Sequence, residues 1–262
     1  MVSASGIDTV AIVGGGFMGT GIAEAVAVSG LPVVVRDVDE ASIERGRARI
    51  EASLAESVRA GKLDGAVTDD VRARIELTTE LDAIAGADLV IEAVPEQLDV
   101  KLAVMKGIDS VVREQTIVAS NTSAIPITEL ARAVRHPERV LGMHFFPPVP
   151  VVALVEIIVG LDTSRETVDT AVSFAKRLGK TVIETKDRSG FIVNTLLVPY
   201  LMAAVRMYED GFASRDDIDT GMKLGCGHPL GPLTVCDLIG LDNLYSSASG
   251  KPLTVASATT GE

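Results

Sequence analysis

Near the start of the chain a short apolar run, Val10 to Val13, stops at Gly14, and the glycines that follow keep a fixed spacing, Gly14-x-Gly16-x-x-Gly19. Few folds accept that order. An apolar run of this length reads as a parallel strand buried on both faces. The pattern from Ile22 to Val28 is helical, so the glycines must turn a strand into a helix within a few residues. Gly14 permits the tight turn, Gly16 lets a pyrophosphate approach the backbone, and Gly19 lets the helix pack close to the sheet. The N–H groups and the positive dipole end of the new helix then face the phosphate charge. By itself this spacing also suits an ordinary glycine-rich turn.

The next element decides between the two. A second apolar run, Leu31 to Val35, follows the helix and ends at Arg36-Asp37. An acid at the end of the second strand, about 20 residues past the glycines, is placed to accept from an adenosine ribose 2′-hydroxyl. Strand, glycines, helix, strand and acid in register point to a dinucleotide. Asp37 would repel a 2′-phosphate, so NAD is favoured over NADP. Arg36 is the residue that would serve the 2′-phosphate instead.

The chain of 262 residues suits one large domain or, better, two. Hydrophobic residues make up 47%, yet the apolar runs are short, and no stretch reads as a membrane span. The first residues have neither a charged nor an apolar leader pattern. A net charge of −12 argues against nucleic acid and against an anionic membrane surface, without excluding a small anionic ligand. Cys226 and Cys236 have neither metal-site nor C-x-x-C spacing and read as reduced thiols of a cytoplasmic protein, with no metal site.

Along the chain, helical and strand patterns alternate. Residues 39–61 form one long charged amphipathic pattern, and a shorter one ends near Arg74, so about 39–75 reads as a helical hairpin inserted into the crossover. Two readings apply to it: a solvated, salt-bridged pair of helices, or an arm over the ligand with Arg59 and Lys62 as phosphate contacts. Strand patterns follow at 75–78, 87–94, 116–120, 139–146, 154–159 and 180–185, with helical patterns at 96–113 and 164–178. This alternation predicts an α/β fold with a doubly wound, mostly parallel sheet. From Gly190 the pattern is helix after helix, so a Rossmann-type domain over 1–187 and a smaller all-helical domain over 188–262 are expected. The Ser/Thr/Ala/Gly-rich stretch 246–262 is expected to be poorly ordered.

A dinucleotide implies redox chemistry and a partner for proton transfer. Of the three histidines, His136 sits in a polar connection and His228 in a Gly/Pro turn, where a structural role is expected. His144 ends a strand pattern, where open parallel sheets put their ligands. Glu156 lies twelve residues on, in the run Leu154 to Val159, and a carboxylate there is costly to bury unpaired. A turn at Pro147 to Pro150 would bring the two runs side by side and set Glu156 against the imidazole, unless Glu156 faces solvent from an edge strand.

These residues bring the chain close to a known family. Val13-Gly-Gly-Gly-Phe-Met-Gly-Thr-Gly-Ile-Ala, Ile91-Glu-Ala-Val-Pro-Glu, Ser120-Asn-Thr-Ser, His144-Phe-Phe, Leu154-Val-Glu, Gly190-Phe-Ile-Val-Asn and Gly227-His-Pro-Leu-Gly-Pro occur in one order over Ile7 to about Asp242. In them the chain resembles the 3-hydroxyacyl-CoA dehydrogenases, particularly the short-chain 3-hydroxybutyryl-CoA dehydrogenases. The resemblance implies an NAD-dependent enzyme that interconverts a 3-hydroxyacyl and a 3-ketoacyl thioester. It implies His144 as general base or acid, Glu156 orienting it, and Ser123 and Asn194 on the substrate oxygen. Cofactor contacts fall on Gly14, Gly16, Phe17, Met18, Gly19, Asp37, Glu96, Lys101 and Asn121. On the arm, the serine that touches CoA is Ser53; the usual lysine position is Ala60, so Arg59 or Lys62 would substitute.

The chain departs from the family elsewhere. Pro147 replaces the usual asparagine after His-Phe-Phe, and Ala153 the usual lysine before Leu-Val-Glu. After Leu241 the family's ending is not matched, which implies a shortened version of the helical domain that forms the family's homodimer interface. These departures keep one alternative in view, a dehydrogenase of hydroxyacyl groups on an acyl carrier protein in a polyketide extender-unit pathway, and since the family's fold also occurs in structural proteins, a non-catalytic dinucleotide-binding protein is a second.

Overall fold

Short strands, the central ones without a polar face, set the architecture of the first part of the chain. They are β1 (Val10–Val13), β2 (Val33–Arg36), β3 (Ile75–Thr78), β4 (Leu89–Glu92), β5 (Ile117–Ser120), β6 (Val140–Phe145), β7 (Leu154–Val159) and β8 (Thr181–Lys186). Every residue of β1, β4, β5 and β6 is buried, as strands covered by helices on both faces must be. The sheet order is β3-β2-β1-β4-β5-β6-β7-β8. All neighbours run parallel except β6 and β7, which are antiparallel. This is the doubly wound, mostly parallel sheet that the alternation of patterns predicts. The computed structural model describes residues 6–240, which fall into two compact units that divide between Arg188 and Ser189.

In the first unit the crossovers are α1 (Phe17–Val28) between β1 and β2, then the arm helices α2 (Glu40–Arg59) and α3 (Thr68–Ala73) between β2 and β3. Next come α4 (Leu98–Val111) between β4 and β5, α5 (Ile127–Ala131) between β5 and β6, and α6 (Arg165–Arg177) between β7 and β8. Two helices depart most from the sequence expectation. Helix α1 begins at Phe17 rather than Ile22, because Gly16 serves as its N-cap and the glycines at 19 and 21 are inside it. Helix α5 was not expected; at five residues it is too short to show a period, and Asp187 caps it from outside through the Ile127 and Thr128 N–H groups at 2.8 and 2.7 Å.

Strand order reverses between β1 and β4, so the loops after them open a crevice at the carboxyl ends of the strands. Two glycines let the backbone close up there. A Cβ on Gly14, which has φ +108°, would lie 2.7 Å from the Ala93 carbonyl oxygen. A Cβ on Gly19 would lie 1.8 Å from the Gly14 carbonyl oxygen, so the helix meets the loop itself.

The second unit holds α7 (Val193–Glu209), α8 (Arg215–Gly225) and α9 (Pro232–Ile239). Its apolar contacts are modest: Leu201 with Cys236, and Ala204 with Ile218 and Leu233. Asp219 joins α8 to α9 by capping the latter, accepting from the N–H groups of Leu233 and Thr234 at 2.8 and 3.0 Å. Side chains such as Leu196, Phe212, Leu224 and Leu238 stay exposed on this unit. The stretch 246–262, expected to be poorly ordered, lies outside the described residues.

Alanine at position 19 tests the close approach of α1 to the glycine loop. With no room for its methyl group, Gly19→Ala should cost about 3 kcal/mol, the upper range for overpacking, and lower the thermal midpoint by roughly 6 to 12 °C. A midpoint equal to the parent's would contradict the packing described.

Candidate active site

The loops after β1, β2, β4, β5 and β6 leave the sheet at the same edge, and they carry most of the residues singled out from the sequence. At the glycine turn the backbone is prepared for an anion. Gly16 caps α1 without a side-chain hydrogen bond, and the first turn of the helix holds no acidic residue. A Cβ on Gly16 would meet nothing within 4 Å, so the approach to those N–H groups is open. Phe17 is exposed, and Met18 packs against the core. Asp37 accepts from the N–H groups of Gly15 and Val38, each at 2.7 Å, which fixes its carboxylate beside the glycine loop. Arg36 directs its Nε to the Thr79 carbonyl oxygen at 3.2 Å. These residues fit a dinucleotide with a free ribose 2′-hydroxyl.

Behind the crevice lies a buried charge network that the sequence reading did not find. Glu92, at the end of β4, is 0% exposed. One of its oxygens accepts from the Ser120 hydroxyl at 2.6 Å, the other from the Val94 N–H and the Lys101 ammonium, both at 2.7 Å. Lys101, from α4, also reaches the Val94 carbonyl at 3.1 Å and the second oxygen of Glu96 at 3.3 Å. Its three N–H bonds thus face three protein oxygens, and the residue is buried. Lys101, expected as a cofactor contact, thus also holds Glu96, another residue expected to touch the cofactor. The signal for Glu92 was present, since a carboxylate in Leu89-Val-Ile-Glu92 raises the same question of burial as Glu156.

Glu96 organises the loop after β5. Burial would raise its pKa, but the Lys101 charge, the Thr122 hydroxyl and the N–H groups of Ser123 and Ala124 together hold the carboxyl below the usual range. The Thr122 hydroxyl bond is 2.5 Å, and the two N–H bonds are 2.9 and 3.0 Å. Ser123 is thereby held by its backbone, its hydroxyl only loosely engaged at 3.4 Å from Glu96. Asn121 uses its side-chain oxygen to accept from the Phe145 N–H at 3.0 Å, which ties the β5 loop to the strand carrying His144.

His144 and Glu156 are directly opposite in the antiparallel pairing of β6 and β7, so their side chains emerge on one face. The imidazole Nδ1 lies 2.7 Å from a carboxylate oxygen of Glu156, which is 0% exposed. Because an ionised carboxylate can only accept, this contact selects the tautomer of a neutral imidazole with its proton on Nδ1 and its lone pair on Nε2. Phe146 tilts over the imidazole with ring centroids 4.4 Å apart. The alternative of a solvent-facing Glu156 is excluded by its burial, because β8 covers the far side of β7.

The turn expected at Pro147 to Pro150 is there, and its anchor is another residue not foreseen, Lys180. Its buried ammonium donates to the carbonyl oxygens of Val149 and Val152 at 2.5 and 2.8 Å, and burial pushes its pKa down. The peptide bond between Pro147 and Pro148 is cis. On the arm, Arg59 is exposed and paired with Glu56, and Lys62 is exposed. Arg72 links α3 to Glu51 of α2 at 2.9 Å, so the arm has the salt bridges of the first of its two readings. Ser53 is half-buried and faces Glu24 of α1. Asn194, in the second unit, is the second residue of α7. His136 is at the surface near Glu138, and His228 meets the Tyr200 hydroxyl at 3.2 Å.

Comparison with known proteins gives consistent matches along the chain. Residues 9–188 match the family model of the 3-hydroxyacyl-CoA dehydrogenase NAD binding domain, and residues 190–261 match that of the C-terminal domain. A 3-hydroxybutyryl-CoA dehydrogenase of Mycobacterium tuberculosis is 46% identical over 240 residues, covering 91% of this chain and 84% of that one. The mitochondrial hydroxyacyl-coenzyme A dehydrogenase of Homo sapiens is 45% identical over 244 residues, covering 90% and 77%. The crystal structure of (S)-3-hydroxybutyryl-CoA dehydrogenase from Ralstonia eutropha superposes with a TM-score of 0.88 at 46% identity, covering 93% of this chain and 86% of that one.

The network behind the crevice makes a direct prediction. Lys101→Met strands the Glu92 carboxylate in the interior and should cost about 3–5 kcal/mol in chemical denaturation, while adding Glu92→Gln should recover much of that. A Lys101→Met midpoint equal to the parent's would mean that the pair is not buried as described.

Proposed function

The chain belongs to the 3-hydroxyacyl-CoA dehydrogenase family, and on that premise we propose that it interconverts a short-chain 3-hydroxyacyl thioester, such as 3-hydroxybutyryl-CoA, and the 3-ketoacyl thioester. The observation that carries this reading is the His144–Glu156 pair, 2.7 Å apart and withdrawn from water at the edge where the glycine loop opens. NAD, when bound, accepts a hydride from the hydroxyl-bearing carbon and supplies one in the opposite direction. Gly14, Gly16, Phe17, Met18, Gly19 and Asp37 would hold it, with Asn121 and Glu96 lining the crevice and Lys101 fixing Glu96.

In the oxidative direction the Nε2 of His144 takes the proton from the substrate hydroxyl, and in the reductive direction it returns that proton. Glu156 keeps the imidazole in the required tautomer and stabilises the imidazolium. The Ser123 hydroxyl and the Asn194 amide are assigned to the substrate oxygen, where each supplies a hydrogen bond as charge develops on it. Ser53 is assigned to the carrier part of the thioester, with Arg59 and Lys62 as the arm's cations. The names of the relatives favour CoA over a carrier protein as that part. A non-catalytic role would leave the burial of a carboxylate against His144 without a purpose.

Exposed Leu196, Phe212, Leu224 and Leu238 favour a homodimer through the helical unit. Among the described residues no helix is long and apolar enough to cross a membrane. Two free thiols, Cys226 exposed and Cys236 buried, fit a reducing compartment, the cytoplasm.

The assay is NADH absorbance with acetoacetyl-CoA. The parent should turn it over, and His144→Ala should lower kcat by about 10²- to 10⁴-fold while still binding NADH. A His144→Ala variant as fast as the parent would rule out the proposed role.

A further inference from the structure

The turn that joins β6 to β7 has no polar side chain of its own to hold it. It runs from Pro147 to Ala153, three residues past His144 and three before Glu156, and every side chain in it is apolar. Pro147, Pro148 and Pro150 have no N–H, so carbonyl oxygens outnumber donors. The N–H groups of Val151 and Val152 both turn back to the Pro148 oxygen, at 2.9 and 3.0 Å. The oxygens of Val149 and Val152 are left to a donor from outside the turn, and that donor is the Lys180 ammonium. Lys180 is 8% exposed, and among the described residues no carboxylate pairs with it. An ammonium withdrawn from water without a counter-ion is costly, so its place under this turn calls for a reason.

The other side of the turn meets the helix of the glycine crevice. Val149 is 3% exposed and belongs to the core. A Cβ on Gly21 of α1 would lie 3.2 Å from the Val149 Cβ, closer than packed carbons normally come. The turn is thus held between Lys180, just before β8, and α1, which begins at the glycine turn. We propose that Lys180 is a positioning residue for the reaction: by holding the Val149 and Val152 oxygens it sets where the His144–Glu156 pair stands relative to α1. The inference rests on His144 as the group that moves the proton.

The sheet alone does not fix that position. The pairing of β6 with β5 stops at Gly142, so beyond it His144 depends on β7 and on the bond from the Phe145 N–H to Asn121. Strand β7 is held by β8 on its far side, and the Thr181 N–H reaches the Ala153 oxygen at 2.6 Å. Between these anchors lies only the turn, with Phe146 at its start tilted over the imidazole. The glycine turn and α1 form one side of the site, and the His144–Glu156 pair forms the other. The reacting carbon and oxygen of the substrate must meet both at once, and a misplacement of about 1 Å can cost about a hundredfold in rate.

The test measures kcat for acetoacetyl-CoA and KM for NADH, well below the unfolding temperature, in the parent, Lys180→Met, Gly21→Ala, His144→Ala and the double variant Lys180→Met/His144→Ala. Methionine is an unbranched chain like lysine but donates nothing. Lys180→Met should lower kcat about tenfold, the worth of about one hydrogen bond to a charged group, with KM for NADH unchanged. Because the effect passes through the imidazole, Lys180→Met should add no further loss to His144→Ala. Gly21→Ala leaves the ammonium in place and pushes Val149 by a few tenths of an ångström from the other side. It should lower kcat about threefold. A lysine that only stabilises the fold would lower the unfolding midpoint and leave kcat of the folded enzyme at the parent's value. That result, with His144→Ala slow, overturns the role of Lys180 and leaves the proposed function standing, as does a loss that multiplies with that of His144→Ala. If Lys180→Met does not fold, Gly21→Ala decides, and a kcat equal to the parent's overturns the inference. A His144→Ala variant as fast as the parent overturns the proposed function and the inference together.

Discussion

A carboxylate taken out of water has to be met by donors, and at the carboxyl edge of this sheet that requirement places most of the polar side chains. Glu92 is met by Lys101, Ser120 and the Val94 N–H, and in being met it fastens β4 to β5 and to α4. The same lysine then turns Glu96 toward the loop that carries Ser123. Glu156 is met by His144 across a strand pair. The crevice is thus rigid for a physical reason: none of these groups can move without exposing a buried charge to an apolar surrounding.

Backbone and side chains divide the work. The glycine turn offers N–H groups and space, and it needs residues that lack side chains, down to a contact at Gly19 where a methyl group has no room. The chemistry on the other side needs the opposite, side chains fixed in one rotamer and one protonation state. Antiparallel pairing of β6 with β7 supplies it, since residues directly opposite share a face and need only a tight turn between them. Lys180 holds that turn by two carbonyl oxygens, so the strand pair is clamped at the end nearest the imidazole.

Much of this was legible in the sequence because period and spacing report it. The strand runs, the glycine spacing with Asp37 in register, and the His144–Glu156 pairing all follow from patterns whose neighbouring elements narrow the physical reading. What escaped has no period. Helix α5 is capped by Asp187, far along the chain, and five residues are too few to announce themselves. Lys101 was expected as a cofactor contact, and no spacing announced the three protein oxygens that its ammonium meets. Glu92 was overlooked although it sits among apolar neighbours, the same sign that drew attention to Glu156. Side-chain partners are set by tertiary contact, and only a buried charge hints that a partner must exist.

The account stands on His144 and Glu156 acting as one unit, and a double-mutant cycle measures that directly. kcat for acetoacetyl-CoA reduction would be compared among the parent, His144→Ala, Glu156→Gln and the double variant. If the carboxylate works only through the imidazole, the double variant is as slow as His144→Ala alone, because a group without its partner has nothing left to orient. Losses that multiply in the double variant would show that Glu156 acts independently of His144 and would contradict the mechanism.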